Sequence, residues 1–242
     1  MSTVELSIQP AYDYNTNQIG YAEVLVRRYM NIHGVQRILK YIEDTESEVE
    51  FDLDVLKETI KYIKKYPDLG YPIGFNVCSR TIREYGIADK IINMVEEACI
   101  DASKLVIEIN EKTDFTDETT IYNIKKMHGH GIIVALDDFG TDKSNFGALQ
   151  EDIFDILKID KRFIDYVNSS DVDIEEDESS SGKILTAIVN LCKGLGIKSV
   201  VEGVETNKQL SYMKRLGCDY AQGYAISKPV PLEEFSESNK NN

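Results

Sequence analysis

LVIEINEKTDFTDETTIYNIKKMHGHGIIVALDDFG, Leu105 to Gly140, contains two runs that are apolar almost throughout, LVIEI and IIVAL, separated by a polar stretch of helical length. A strand with one wet face alternates apolar and polar residues. A nearly continuous apolar run needs cover on both faces, as in parallel sheets. Similar strand-like runs recur along the chain at Leu6–Tyr12, Ile19–Val26, Ile73–Cys78, Ile156–Ile159, Ser199–Val201 and Ala221–Ile226, which with Leu105–Ile109 and Ile132–Leu136 makes eight. Helical patterns fill the intervals. Leu53, Leu56, Ile60 and Ile63 fall on one helical face, Ile184, Ala187, Ile188, Leu191 and Leu195 on a second, and Leu210, Met213 and Leu216 on a third, which Gly217 should end. The first two strands are joined by a short polar turn around Asn15-Thr16-Asn17, which suits a hairpin. The expectation is an α/β fold, a TIM-type (β/α)8 barrel whose first strand is antiparallel. Its 242 residues fit one such domain, 1–242.

Composition narrows the function classes. The chain carries 27 Lys plus Arg against 42 Asp plus Glu, a net charge of −15, which disfavours polynucleotides and acidic membrane surfaces. No apolar run is long enough for membrane insertion, and MSTVELSIQP does not read as a signal peptide, so a cytoplasmic location is expected. Cys78, Cys99, Cys192 and Cys218 lack metal-like spacing and read as reduced structural residues. His33, His128 and His130 read as surface residues. The segment 169–182, SSDVDIEEDESSSG, has six acidic residues among the eight from Asp171 to Glu178 and nothing to bury; it reads as an exposed acidic loop, and 236–242 as a frayed end.

In a barrel of this kind, chemistry gathers where strands end. Glu23, Asn76, Glu108, Asp137, Asp138, Lys158, Asp160, Glu202, Glu205 and Gln222 all lie in or just after strand-like runs. Any one carboxylate has an ordinary explanation as an ion pair or a helix cap. Several together repel one another, and burying them requires cations. Oxygen ligands without His or Cys suit Mg2+ or Mn2+ rather than zinc. Two such ions would nearly balance the carboxylates and leave room for an anionic substrate, and adjacent Asp137 and Asp138 suit a two-metal phosphoesterase.

At these residues the sequence resembles the EAL family of bacterial cyclic di-GMP phosphodiesterases. The motifs that carry the resemblance are IQP at Ile8–Pro10, EVLVR at Glu23–Arg27, NVCS at Asn76–Ser79, EINE at Glu108–Glu111, DDFGT at Asp137–Thr141, KID at Lys158–Asp160, EGVE at Glu202–Glu205 and QGY at Gln222–Tyr224. The resemblance implies hydrolysis of cyclic di-GMP to linear pGpG by a hydroxide that two Mg2+ or Mn2+ ions activate; Ca2+, which prefers longer bonds and looser geometry, is expected to inhibit. It implies that Glu23, Asn76, Glu108 and Asp137 hold one ion, and that Asp137, Asp138 and Glu202 hold the second. Lys158, Glu202 and Glu205 would serve catalysis; Gln9, Arg27, Asp160 and Gln222 would bind substrate; Glu111 would support the loop after Asp138. Homodimerisation is compatible with the family. Three departures stand out: Val24 in the naming motif, Asp142 where the family carries Gly, and the acidic segment, which looks inserted. A receptor that binds without cutting, and a Mg2+-dependent lyase of the enolase kind, are the competing readings. The receptor would usually lack a metal carboxylate, and the lyase needs a second lysine or a histidine at a strand end.

Overall fold

The computed structural model describes residues 3–140, 146–168 and 179–238. Strands β1 (Val4–Asp13), β2 (Gln18–Tyr29), β3 (Ile32–His33), β4 (Ile73–Val77), β5 (Leu105–Asn110), β6 (Ile133–Phe139), β7 (Ile156–Ile159), β8 (Lys198–Val201), β9 (Tyr220–Gln222) and β10 (Val230–Pro231) form one sheet. The helices are α1 (Val35–Asp44), α2 (Glu48–Lys65), α3 (Ser79–Arg83), α4 (Ile87–Ala98), α5 (Glu118–Gly129), α6 (Ser180–Leu195), α7 (Asn207–Leu216) and α8 (Leu232–Ser238).

The sheet closes on itself. β2, β4, β5, β6, β7, β8 and β9 pair in parallel in that order, and β1 pairs antiparallel with both β2 and β9. These are the eight strands expected from the sequence, and the first is antiparallel as expected. Its hairpin turns where Asn15-Thr16-Asn17 predicted. The Asp13 carboxylate accepts the backbone N–H groups of Asn15 and Thr16 at 2.7 and 3.3 Å, and Asn17 adopts φ 55°. β3 and β10 are two-residue additions outside the barrel ring.

Alternation along each strand sorts side chains into an outer core and a barrel interior. Phe75, Ile107, Leu136, Leu157 and Val201 face the helices. Ala11, Tyr21, Val106, Ala135, Ile156 and Val200 make a separate apolar cluster, the floor of the barrel. Two residues along from the floor on the same faces come Gln9, Glu23, Glu108, Asp137, Lys158 and Glu202.

Several boundaries differ from expectation. The run Ala221–Ile226 stops being a strand at Gln222, because Gly223 onward turns back and the N–H groups of Ile226 and Ser227 bond to Gly223 O. The second helical stripe is rotated. α6 buries Leu185, Ile188, Val189 and Cys192, while Ile184, Ala187 and Leu195 are exposed. Apolar residues crowd both sides of that helix, so spacing alone admitted two stripes. Residues 179–182 are not loop: Ser179 caps α6, accepting the Gly182 N–H at 3.0 Å. Residues 236–238 are the last of α8. Gly217 ends α7 as expected, at φ 73°. Asp142, residues 169–178 and residues 239–242 lie outside the described residues. The four cysteines are free. The histidines stay outside the barrel: His33 is exposed, His128 faces Asp155 at 3.3 Å and His130 faces Glu96 at 3.6 Å. Among the described residues no helix is long and apolar enough to cross a membrane.

Asp219 locks the N-terminal ends of β8 and β9. Its carboxylate accepts Lys198 Nζ at 2.7 Å, and the N–H and hydroxyl of Ser199 at 3.0 Å each. Burial pushes its pKa up, but the ammonium and the donated hydrogen bonds outweigh that and hold it below the usual value. A depressed carboxylate stabilises the fold above its unfolded pKa, about 3.9, and loses that contribution as pH falls through the folded value. Asp219→Ala is therefore expected to cost about 1.5–3 kcal/mol at pH 7. Urea unfolding should show the gap between parent and variant closing at acidic pH.

Candidate functional site

Lys158 is the centre of the barrel mouth. Its side chain is 1% exposed, on β7 directly above the floor. Its ammonium lies 3.2 Å from Glu23 Oε2, 3.0 Å from Asp137 Oδ1 and 2.9 Å from Glu202 Oε1, and is paired still more closely with Glu108. Four strands thus send carboxylates to one cation. Lys158, expected to serve catalysis, thus lies among four of the residues expected to hold metal.

The surrounding amides orient this ring. Asn76 Nδ2 donates to Glu23 Oε1 at 2.6 Å, and Gln222 Nε2 donates to Glu23 Oε2 at 2.9 Å. Tyr21 OH in turn donates to Gln222 Oε1 at 3.4 Å. Glu108 has no exposed surface and needs room above β4, which Gly74 provides: a Cβ there would overlap Glu108 Oε1. That Oε1 is buried without a hydrogen-bond partner among the described residues.

Asp137 and Asp138 follow from an irregularity in the β6–β7 ladder. Leu136 pairs with Leu157 and Phe139 with Ile159, so two aspartates stand opposite Lys158 alone. Such a bulge re-aims side chains. Asp138 reaches its position with φ 59°, uncommon for a non-glycine residue. Asn110 Nδ2 steadies it, donating to Asp138 Oδ2 at 2.7 Å. Carboxylate oxygens of Asp137, Asp138 and Glu202 lie within 4.8 Å of one another, a cluster able to hold a metal ion. Just beyond, Gly140 at φ 91° donates its N–H to Glu111 Oε2 at 2.8 Å.

Electrostatics make the cluster cation-hungry. Burial, then repulsion from Glu23, drives the Glu108 pKa well above the carboxylate range despite Lys158. Burial likewise pushes Glu202 up to about 8, Lys158 opposing and Asp137 adding repulsion. Burial and Asp137 raise Asp138. For Lys158, burial disfavours the charge, but Asp137, Glu108, Glu202 and Glu23 together hold its pKa well above normal. One ammonium cannot offset five carboxylates, and the orphaned Glu108 oxygen and the Asp137–Asp138–Glu202 cluster fit hard divalent cations of the Mg2+ or Mn2+ kind.

An open cavity of about 430 Å3 lies over this cluster. Gln9, Asp160 and Gln222, expected to bind substrate, and Glu205, expected to serve catalysis, line it. Gln9 is fixed by donating to Ser227 O at 2.9 Å. Asp160 Oδ1 accepts the N–H and Nε of Arg162, both at 2.9 Å, and so also caps a short 3-10 turn. Arg27 does not line the cavity. It is the extra residue of a β1–β2 bulge, with Val26 opposite Leu6 and Arg28 opposite Glu5.

Sequence reasoning missed Asn110, Leu25, Lys161 and Tyr224. Asn110 and Leu25 lie two positions beyond Glu108 and Glu23 on the same strand faces, a period-2 signal that was available. Lys161, which opens the 3-10 turn after β7, also lines the cavity.

A family model described as the EAL domain matches residues 2–229. The chain is 31% identical to the probable cyclic di-GMP phosphodiesterase PdeA of Escherichia coli over 89% of its length, covering 29% of that protein. It is also 31% identical to the cyclic di-GMP phosphodiesterase PdeL of Escherichia coli over 94% of its length, covering 63% of that protein. The chain therefore spans less than two thirds of these relatives. A solved structure described as the PaMucR phosphodiesterase in complex with c-di-GMP superimposes with a TM-score of 0.84 at 26% identity, covering 96% of this chain and 99% of that one. With the family model spanning nearly the whole barrel and its strand-end carboxylates, the chain belongs to the EAL domain family.

Proposed function

We propose that this chain hydrolyses cyclic di-GMP to linear pGpG. The observation that carries the reading is the convergence of Glu23, Glu108, Asp137, Asp138 and Glu202 on one open barrel mouth with Lys158 among them. The named activities of PdeA and PdeL, and the c-di-GMP complex of the PaMucR phosphodiesterase, support the same choice of substrate.

Glu23, Asn76, Glu108 and Asp137 would hold one divalent cation, and Asp137, Asp138 and Glu202 a second. When bound, such ions lower the pKa of water and offset charge on a phosphodiester. The chain's own residues do the rest. Gln222 and Asn76 orient Glu23. Lys158, held charged by its neighbours, supplies a buried positive charge beside the phosphorus under attack. Gln9, Asp160, Glu205 and Gln222 form walls against which the nucleotide is positioned. Arg27, beyond the cavity wall, would reach a phosphate only on a ligand extending along β2, where a guanidinium fork suits it. Water adds at phosphorus, the bond to the 3′ oxygen breaks, that oxygen takes up a proton, and the new phosphate stays on the 5′ carbon of pGpG.

Incubation of the purified chain with cyclic di-GMP and Mg2+ or Mn2+ is expected to yield pGpG, identified by chromatography and mass spectrometry. Glu23→Ala should lower the rate by about a hundredfold or more while leaving the fold intact. Ca2+, which favours longer bonds and looser geometry, should bind and inhibit. Binding without any pGpG in either metal would replace the enzyme with a receptor.

The metal-free site yields a second expectation, with its sign fixed by Glu202. Its folded pKa of about 8 lies above its ordinary 4.5, so between those values the folded state binds more protons than the unfolded one. Glu108 acts in the same direction. The chelator-treated protein should therefore gain stability as pH falls from about 8 toward 5. Saturating Mg2+ should flatten that trend and raise Tm by about 5–10 °C at a hundredfold excess over its dissociation constant. Melting curves across this range in chelator and in Mg2+ would show it, and a metal-free protein that loses stability on mild acidification would contradict it.

A further inference from the structure

The β4–β5 ladder ends at Val77 paired with Ile109. Asn76, whose amide holds Glu23, is thus next to the last paired residue of β4, and the chain leaves the sheet at Cys78. The Cys78 backbone N–H, released from the ladder, donates to Asp52 Oδ2 at 2.8 Å. The Cys78 thiol donates to the other oxygen of the same carboxylate at 3.5 Å.

Asp52 lies on α2, outside the barrel, and is 2% exposed. Among the described residues no lysine or arginine forms an ion pair with it. Burial pushes its pKa up to about 7, against the hydrogen bonds it accepts. A carboxylate buried without a cation is costly. An apolar residue would fill the space between α2 and β4 at lower cost, so packing does not account for it. What the carboxylate supplies is two acceptor oxygens on the first residue past β4.

The next residue is tied as well. Ser79 Oγ and Thr113 Oγ1 are 2.7 Å apart, joining the exit of β4 to the segment after β5. That segment carries Glu111, whose backbone N–H donates to Asp137 O at 3.0 Å and whose carboxylate holds Gly140. The rim from α2 to the Asp137–Asp138 loop is therefore stitched by hydrogen bonds, and Asp52 is its outer anchor.

We propose that Asp52 is a positioning residue for the barrel-mouth site: by holding Cys78 it fixes the end of β4, and with it Asn76 against Glu23. The proposal rests on the metal-site reading above. It acts through Asn76, so it should move metal affinity and turnover rather than substrate binding. Side chains that orient ligands in this way typically contribute about 10–100-fold in metal affinity or activity.

The test uses the whole chain and three variants. Asp52→Asn keeps an acceptor oxygen in place, Asp52→Leu removes it, and Asp52→Glu displaces it by one methylene. Mn2+ binding is measured by calorimetry, and kcat and KM for cyclic di-GMP by product formation, at temperatures where melting curves show each protein folded. Asp52→Leu is expected to weaken Mn2+ binding and lower kcat about tenfold or more, with KM changed less than about threefold. Asp52→Asn should stay within about threefold of the parent, and Asp52→Glu should fall between. Asp52→Glu carries the test if Asp52→Leu does not fold. A folded Asp52→Leu or Asp52→Glu that melts lower but binds Mn2+ and turns over like the parent would overturn the proposal, leaving Asp52 a structural residue. A parent that binds no Mn2+ would overturn the metal-site reading itself, and the role of Asp52 with it. A parent that binds Mn2+ without turnover would remove only the enzyme reading, and affinity alone would then decide for Asp52.

Discussion

A single ammonium held among four carboxylates inside a closed barrel is the constraint around which the mouth is built. Lys158 cannot leave without exposing Glu23, Glu108, Asp137 and Glu202 to one another in a medium that screens charge poorly. Nor can the carboxylates disperse, because each is fixed to a different strand. The apolar floor of Ala11, Tyr21, Val106, Ala135, Ile156 and Val200 excludes water from below. Electrostatic relief can come only from the open side. Buried ionic networks are weak evidence for stability; here the shortage of positive charge is better understood as a readiness for cations arriving through the mouth.

Strand alternation explains why floor and ring share the same strands. Val106 and Glu108, Ala135 and Asp137, Ile156 and Lys158, Val200 and Glu202 are pairs two residues apart, and each pair passes from floor to ring along one strand face. The residues between them, such as Ile107, Leu136 and Leu157, serve the outer core. A one-residue slip in any strand would send a carboxylate into the helix layer and an aliphatic chain into the ring. Register is therefore enforced by both solvents of the barrel at once, the hydrocarbon outside and the charge within.

Much of this was legible in the sequence for the same reason. A Glu inside LVIEI or a Lys inside ILKI stands out because its neighbours are apolar, and eight such runs at barrel spacing are hard to arrange otherwise. What stayed hidden depends on backbone detail that residue type does not encode. The rotation of α6 was ambiguous because Ile184 and Leu185 are equally apolar, and packing against the barrel selected Leu185. The strand after Tyr220 ended early because Gly223 turns the chain, although the residues beyond it remain apolar. Nothing in ILKID shows that the Lys158 ammonium falls among carboxylates from β2, β5, β6 and the end of β8. Asp52 gave no signal at all: an Asp in FDLDVL looks like the polar side of a helix until β4 is laid against it.

The two halves of the ring are held in different ways, and that difference bears on how the site would respond to a ligand. On the Asp138 side, geometry is set first by backbone, a bulge opposite Lys158 and a left-handed φ, to which the Asn110 amide and the Glu111 carboxylate add hydrogen bonds. On the Glu23 side, position is set by side chains, with Asn76 and Gln222 each donating one hydrogen bond. A backbone bulge resists displacement, whereas side-chain amides rotate at little cost. When charge in the mouth changes, the Glu23 side has the freedom to readjust and the Asp138 side does not. That makes the anchoring of β4 behind Asn76 the natural place for the fold to restrain the softer half, and it is where α2 places its buried carboxylate.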